Sequence, residues 1–227
     1  MLKPISARVF GGTCFLCRGP AHDLLCAPCE ADLPGAPEPA CPRCALASPD
    51  GAVCGRCIVH APHYDATISA LSYDFPADAL IHALKFRGEL ALAGLLGTRL
   101  ARSLHAAGSI DFLVPVPLSA ARLRARGYNQ AAEVGRAVAR IARRPLRAGV
   151  CERVADTPPQ TELPWAERER NVRGAFRCSA DLRGARVAVV DDVMTTGATL
   201  DALARALKAA GAAHVVNLVV ARTAPPG

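Results

Sequence analysis

The chain has 227 residues, 51% apolar and 21% charged, with a formal net charge of +7 and ten cysteines. That length suits one good-sized domain and a small one. No stretch approaches the roughly 18 uninterrupted apolar residues of a membrane helix, and the opening MLKPISARVFGGTC lacks the apolar centre of a secretory signal, so no membrane span and a cytoplasmic setting are expected.

Residues 10–60 stand apart as the small domain. Eight cysteines lie there as four C-x-x-C pairs, Cys14/Cys17, Cys26/Cys29, Cys41/Cys44 and Cys54/Cys57, with eight, eleven and nine residues between pairs. Each pair is a knuckle that can present two thiolates to one ion. Two knuckles complete the tetrahedral four-sulfur site that structural zinc prefers. A disulfide framework is the rival, but C-x-x-C is poor disulfide scaffolding and nothing marks the chain as secreted. An iron–sulfur cluster is a second rival, for which other spacings are expected. Eight ligands suggest two zinc ions in a double zinc ribbon, with sequence-adjacent knuckles pairing and crossed pairing left open. With four sulfurs filling each site, neither ion would have an open position, so both would be structural. A region this small and rich in Pro and Gly would not fold without them. His22, His60 and His63 lie nearby and read as surface or packing residues.

Residues 61–224 alternate strands with helices, the pattern of an α/β domain with a parallel sheet and helices on both faces. An entry strand, about ATISALSY, precedes a helical stretch over 76–106 in which Leu92, Leu95, Leu96, Leu100 and Leu104 recur at helical spacing. Inside it, Lys85 and Arg87 of LKFRG are candidate anion contacts. A strand over 110–114 runs into Pro115-Val116-Pro117-Leu118, where the prolines stop pairing. A turn carrying Arg122, Arg124 and Arg126 follows, then a helix, QAAEVGRAVARIA. Between Arg122 and Arg147 there are eight arginines against one acid, Glu133. Such a patch attracts phosphates, whether of a nucleotide or of DNA, although the chain uses arginine for nearly all its cations, with only three lysines. Residues 155–176 lack a period and hold Trp165, Arg168, Arg170 and Arg173, the character of a functional or disordered loop. Cys151 and Cys178 flank it and read as buried thiols.

The stretch RVAVVDDVMTTGATL organises this second domain. Val187-Ala188-Val189-Val190 suits a strand buried on both faces. Asp191 and Asp192 follow, then Thr195-Thr196-Gly197-Ala198-Thr199, then a helix, TLDALARALKAA, stopped by Gly211. A last strand covers 214–220. The helix start offers unpaired N–H groups and the positive end of its dipole to a phosphate. Gly197 lets the backbone close on an anion, and the hydroxyls add donors. The carboxylates would repel that phosphate and instead suit the hydroxyls of a ribose attached to it. A P-loop would need Gly-Lys-Ser/Thr, and a dinucleotide fingerprint G-x-G-x-x-G; both are absent.

This stretch resembles the phosphoribosyl-pyrophosphate (PRPP) loop of the type I phosphoribosyltransferases. With VPVPLS, RARGYNQA, Gln160-Thr161-Glu162-Leu163, the segment Arg170 to Phe176, LKFRG and the cysteine-rich N-terminus, nearly the whole chain is similar to the ComF family. The resemblance implies that Asp191 and Asp192 hold the ribose hydroxyls and that Thr195, Thr196, Gly197, Ala198 and Thr199 hold the 5′-phosphate. It places the pyrophosphate against Val116, Pro117, Arg126 and Lys85, with Mg²⁺ arriving on PRPP, and makes 155–176 a loop that closes over the ligand. The implied reaction displaces pyrophosphate from the anomeric carbon. No general base and no acceptor pocket can be read. ComF proteins are also associated with natural transformation, which implies a rival role: binding PRPP or single-stranded DNA without transfer, beside the DNA-uptake machinery. The aromatic content of 4% is low for a single-strand binder, with Phe86, Tyr128 and Trp165 the only candidates for stacking.

Overall fold

The structure, a computed structural model, describes residues 12–154 and 174–225. In the N-terminal part a two-stranded ladder joins β1 (Gly12–Thr13) to β2 (Pro20–Ala21), and short helices α1 (Ala27–Ala31) and α2 (Gly55–Val59) start at the first cysteine of a knuckle, Cys26 and Cys54, and carry the second. The cysteines group as Cys14, Cys17, Cys26 and Cys29, and as Cys41, Cys44, Cys54 and Cys57. Neighbouring knuckles therefore pair and crossed pairing does not occur.

The second domain is a parallel sheet of four strands, β3 (Ala66–Ser72), β4 (Phe112–Pro115), β7 (Arg186–Met194) and β8 (His214–Arg222), in the spatial order β3-β8-β7-β4. Strands β5 (Cys151–Arg153) and β6 (Phe176–Cys178) form a separate antiparallel pair. The central strands read VAVV and VVNLVVA because both faces are covered. Ala188, Val190, Val216, Leu218 and Val220 pack toward helices α3 (Ala77–Phe86), α4 (Ala91–Ala101) and α6 (Gln130–Ala142). The alternate residues Val187, Val189, Val215 and Val219 pack toward α7 (Ala198–Ala209). Period-two alternation thus divides the core into two layers. Helices α4 and α6 press together at Gly97, where a Cβ would lie 2.6 Å from the Ala137 Cβ and 2.8 Å from the Val134 carbonyl oxygen.

Several local readings change. The helical stretch over 76–106 is two helices and a short 3₁₀ turn, Leu104–Ala107; α3 stops at Phe86 and Gly88 takes a positive φ of 72°. The arginine-rich turn contains a helix, α5 (Ala120–Arg126), opened by Ser119 accepting the Arg122 N–H and closed by left-handed Gly127. Strand β7 runs on through the acid pair to Met194, because β8 extends to Arg222 and continues to pair with it. Cys151 and Cys178 are not free thiols: they face each other across β5 and β6, with Cα atoms 4.2 Å apart, and form a disulfide. Residues 155–173, with Trp165, Arg168, Arg170, Arg173 and Gln160-Thr161-Glu162-Leu163, lie outside the described residues.

Candidate functional site

All four parallel strands end at one edge, where ligands of open α/β sheets bind. There β7 delivers Asp191 and Asp192. Asp192 is 4% exposed; its Oδ1 lies 2.9 Å from Lys85 Nζ, while its Oδ2 is buried and has no hydrogen-bond partner among the described residues. Asp191 Oδ1 accepts the Asp192 N–H at 2.9 Å. Burial, and then the Asp192 carboxylate beside it, push the Asp191 carboxyl up to about 7, with Lys85 opposing. Burial alone would lower the Lys85 ammonium, but the charge and hydrogen bond of Asp192 carry it upward. Lys85, placed by sequence with the pyrophosphate, is therefore clamped to an acid of the pair.

The turn after β7 brings Thr195 to Thr199 to the start of α7. Gly197 sits at φ 88°, where an L side chain is strained, and its Cβ would strike Met194 Cε at 2.7 Å. Thr196 Oγ1 accepts the Ala198 N–H at 3.2 Å. The first N–H groups of a helix have no intrahelical partner, so the remaining ones here are donors at the positive end of a twelve-residue helix.

Beside it, β4 ends on the proline turn. The Val116 N–H donates to the Val190 carbonyl at 2.9 Å, tying that turn to β7. Asn129 Nδ2 donates to the Val116 carbonyl at 3.0 Å, while Asn129 Oδ1 caps α6 by accepting from Ala131 and Ala132. Arg126 donates to Gln130 Oε1, and its guanidinium lies 5.3 Å from the centre of the Phe86 ring. Tyr128 donates its hydroxyl to the Leu84 carbonyl, next to Lys85. The acid pair, Lys85, Arg126 and the Val116–Pro117 turn are thus linked along one edge.

Sequence reasoning missed Arg222. It closes a mostly apolar strand, is 1% exposed, and donates from Nε to the Cys44 carbonyl at 2.8 Å and from Nη1 to the Met194 carbonyl at 2.8 Å and to the Thr195 carbonyl. One guanidinium therefore joins the second cysteine group to the turn after β7. The only signal was a cation ending a run of buried residues.

The two cysteine groups fit a tetrahedral ion. All Sγ atoms in each lie within 4.8 Å of one another, and Cys17–Cys26 and Cys44–Cys54 are 3.6 Å apart; zinc–sulfur bonds of about 2.3 Å imply about 3.8 Å between sulfurs. The Cys17 N–H, first among several donors, draws the Cys14 thiol down to about 6. At Cys41 burial opposes, but the N–H groups of Cys54 and Cys44 prevail and take the thiol to about 7. Thiolates are the ligand form.

Residues 91–225 match the family described as phosphoribosyl transferase domain, and residues 5–58 match the double zinc ribbon domain. Over 222 residues the chain is 34% identical to the DNA utilization protein YhgH of Salmonella typhimurium, covering 93% of this chain and 97% of that one. Over 219 residues it is 30% identical to competence protein F of Haemophilus influenzae, covering 91% and 95%. The chain belongs to the ComF/YhgH family. A purine phosphoribosyltransferase from Pyrococcus horikoshii aligns over 66% of this chain and 74% of that one, at 18% identity and a TM-score of 0.33, a likeness too low to add to this. The family assignment accounts for the type I phosphoribosyltransferase sheet and the double ribbon together. Among the described residues no helix is long and apolar enough to cross a membrane.

Proposed function

We propose that the sheet edge binds Mg²⁺–PRPP and that the protein displaces pyrophosphate from its anomeric carbon. The observation that carries this is Asp192: one oxygen on Lys85, the other buried with no partner among the described residues. A buried carboxylate oxygen left unsatisfied is costly, and a ribose hydroxyl supplies the missing donor. Asp191 accepts a second hydroxyl. Lys85 orients Asp192 and offsets the charge of the pair. The turn from Thr195 to Thr199 donates to the 5′-phosphate, while Arg126 and the Val116–Pro117 turn face the pyrophosphate. Mg²⁺, held mainly by PRPP oxygens and water, would neutralise pyrophosphate charge. Positive charge developing on the ribose ring sits over two carboxylates, so the protein contributes placement and electrostatics. In this reading the ribbon, residues 10–60, holds two structural zinc ions, residues 61–224 form the transferase domain, and the protein works in the cytoplasm.

The names of the relatives support a second reading, in which the domain binds PRPP or single-stranded DNA without transfer, alongside DNA-uptake machinery. The basic run from Arg122 to Arg147 would then be the DNA surface. Calorimetric titration of Mg²⁺–PRPP into zinc-loaded protein tests the site, and turnover separates the two readings. Binding by the wild type that is lost in Asp191→Asn/Asp192→Asn supports the first reading, and turnover with a small amine or base would complete it. No binding by well-folded protein sinks it. A steep salt dependence of single-strand binding, flattened by changing Arg122, Arg124 and Arg143, supports the second.

A further inference from the structure

A cavity of about 290 Å³ lies between the second cysteine group and α7, and neither Asp191, Asp192, Lys85 nor Arg126 lines it. One wall is α2 and the link to β3, with Arg56, His63 and Tyr64. The other is the phosphate turn and one face of α7, where Ala198, Asp201, Ala202 and Arg205 follow helical spacing. Its opening therefore lies on a different side of the turn from the acid pair.

Three kinds of donor converge there. Arg56 uses one N–H on the Thr196 carbonyl at 3.3 Å and keeps the rest of its fork. Arg205 is exposed and makes no hydrogen bond or ion pair among the described residues; helical side chains lean toward the N-terminus, so it leans over the opening. Tyr64 is 3% exposed, yet its hydroxyl faces the cavity beside Gly197, 3.0 Å from where a Cβ would stand, with no hydrogen-bond partner among the described residues. The ring is buried and only the hydroxyl reaches the cavity, which leaves it free to donate to a ligand oxygen. The acid of the cavity, Asp201, is already engaged: its Oδ1 accepts the His63 N–H at 2.6 Å and lies 3.1 Å from His63 Nδ1.

We propose that this cavity is a second anion site, which takes a phosphate monoester of small size on Arg56, Arg205 and the Tyr64 hydroxyl. Two guanidiniums and a phenol match a dianion with several oxygens. The volume is at the lower end for small-molecule sites, which suits a sugar phosphate or a nucleoside monophosphate. Through Arg56 and the Thr196 carbonyl its occupant would touch the same turn that receives PRPP, from the ribbon side.

The test is calorimetric titration of AMP, with inorganic phosphate as the minimal probe, into the zinc-loaded full chain saturated with Mg²⁺–PRPP, because the sheet edge would itself take a ribose 5′-phosphate. Arg205→Ala is expected to weaken AMP about tenfold, as for the loss of a charged hydrogen bond, and Tyr64→Phe to weaken it less. Both variants should melt as the wild type does. AMP should bind with Mg²⁺–PRPP already in place. Absence of AMP and phosphate binding by the wild type, AMP binding that survives Arg205→Ala, or displacement by Mg²⁺–PRPP overturns the proposal. Failure of PRPP to bind leaves the Arg205 comparison intact, so the two readings fail separately.

Discussion

The two cysteine groups are near copies in sequence, yet they cap opposite faces of one sheet. Cys14 packs with Leu25 and Leu33 into the layer of α3 and α4, beside Leu80 and Leu84. Cys41, Cys44 and Cys57 pack with Met194, Leu200 and Leu203 into the layer of α7. The first group leaves Cys17 exposed and Cys26 and Cys29 half-buried, whereas in the second only Cys54 is not fully buried. Polar ties differ too. The first meets the domain through an exposed Arg102–Glu30 pair and through Phe15, which lies under Arg18 and Arg87. The second reaches the turn after β7 through buried Arg222 and through Arg56. The same unit is an anchor on one face and part of the site wall on the other. What decides is position: residues 41–57 dock beside the C-terminal ends of β7 and β8, where the turn begins.

The largest effects should come from breaking one group at a time. A structural zinc site in a small domain contributes on the order of 10 kcal/mol of folding free energy, so Cys17→Ser and Cys57→Ser should both lower the thermal midpoint strongly. They should separate on ligand affinity. Cys57→Ser is expected to weaken Mg²⁺–PRPP by at least about tenfold, the equivalent of roughly 1.4 kcal/mol of turn distortion, while Cys17→Ser leaves the surviving folded fraction binding normally. Equal loss in both would mean that the sheet edge feels the two groups alike.

Arg222→Met comes next. It removes donors from the carbonyls of Cys44, Met194 and Thr195 inside the protein, and a loss of about 3 kcal/mol or more is expected in denaturant melts. Arg222→Lys should recover only part, because a point charge cannot span carbonyls in different directions.

Most of the site was legible because its chemistry is local. Acids, hydroxyls and a glycine in register state their purpose within nine residues, and C-x-x-C pairs state theirs within four. Arg222 and Tyr64 were not legible. Their roles depend on β8 and the ribbon link arriving beside a turn that lies far from Tyr64 in sequence. Lys85 was half legible: its spacing marked an anion contact, but only the packing of α3 shows the anion to be Asp192. The α5 helix was missed because the stretch carrying Arg122, Arg124 and Arg126 was read as a turn, whereas Gly127 closes one helix there and Asn129 opens the next. The disulfide was missed because its register is set by β5 and β6, short strands with no signal of their own.

A third effect concerns pH and separates the acid pair from both ribbons. The Asp191 carboxyl is raised, to about 7, mainly by burial. A raised carboxyl favours the folded state below its ordinary value, and that contribution is lost as pH climbs through about 7. Ribose hydroxyls need the ionised form, so Mg²⁺–PRPP affinity should rise over the same window. Asp191→Asn should remove both slopes. Titration of the ligand's own phosphates remains in the variant, and subtracting it isolates the carboxyl. Slopes that persist in the variant would assign the proton elsewhere.

The smallest effect belongs to the first group. Arg102 Nη1 lies 3.6 Å from Glu30 Oε1, with the two side chains 64% and 40% exposed. Such pairs are screened by water and salt, and holding two long side chains costs entropy. A double-mutant cycle with Arg102→Ala and Glu30→Ala should give a coupling below about 1 kcal/mol, falling further in salt. Leu25 and Leu33, buried against the α3 layer, would then hold this face, and Leu25→Ala should cost more than the whole ion pair, about 2 kcal/mol or above. A coupling larger than the leucine effect would reverse the comparison: the outer group would be held by charge, and its independence from the site would depend on ionic strength.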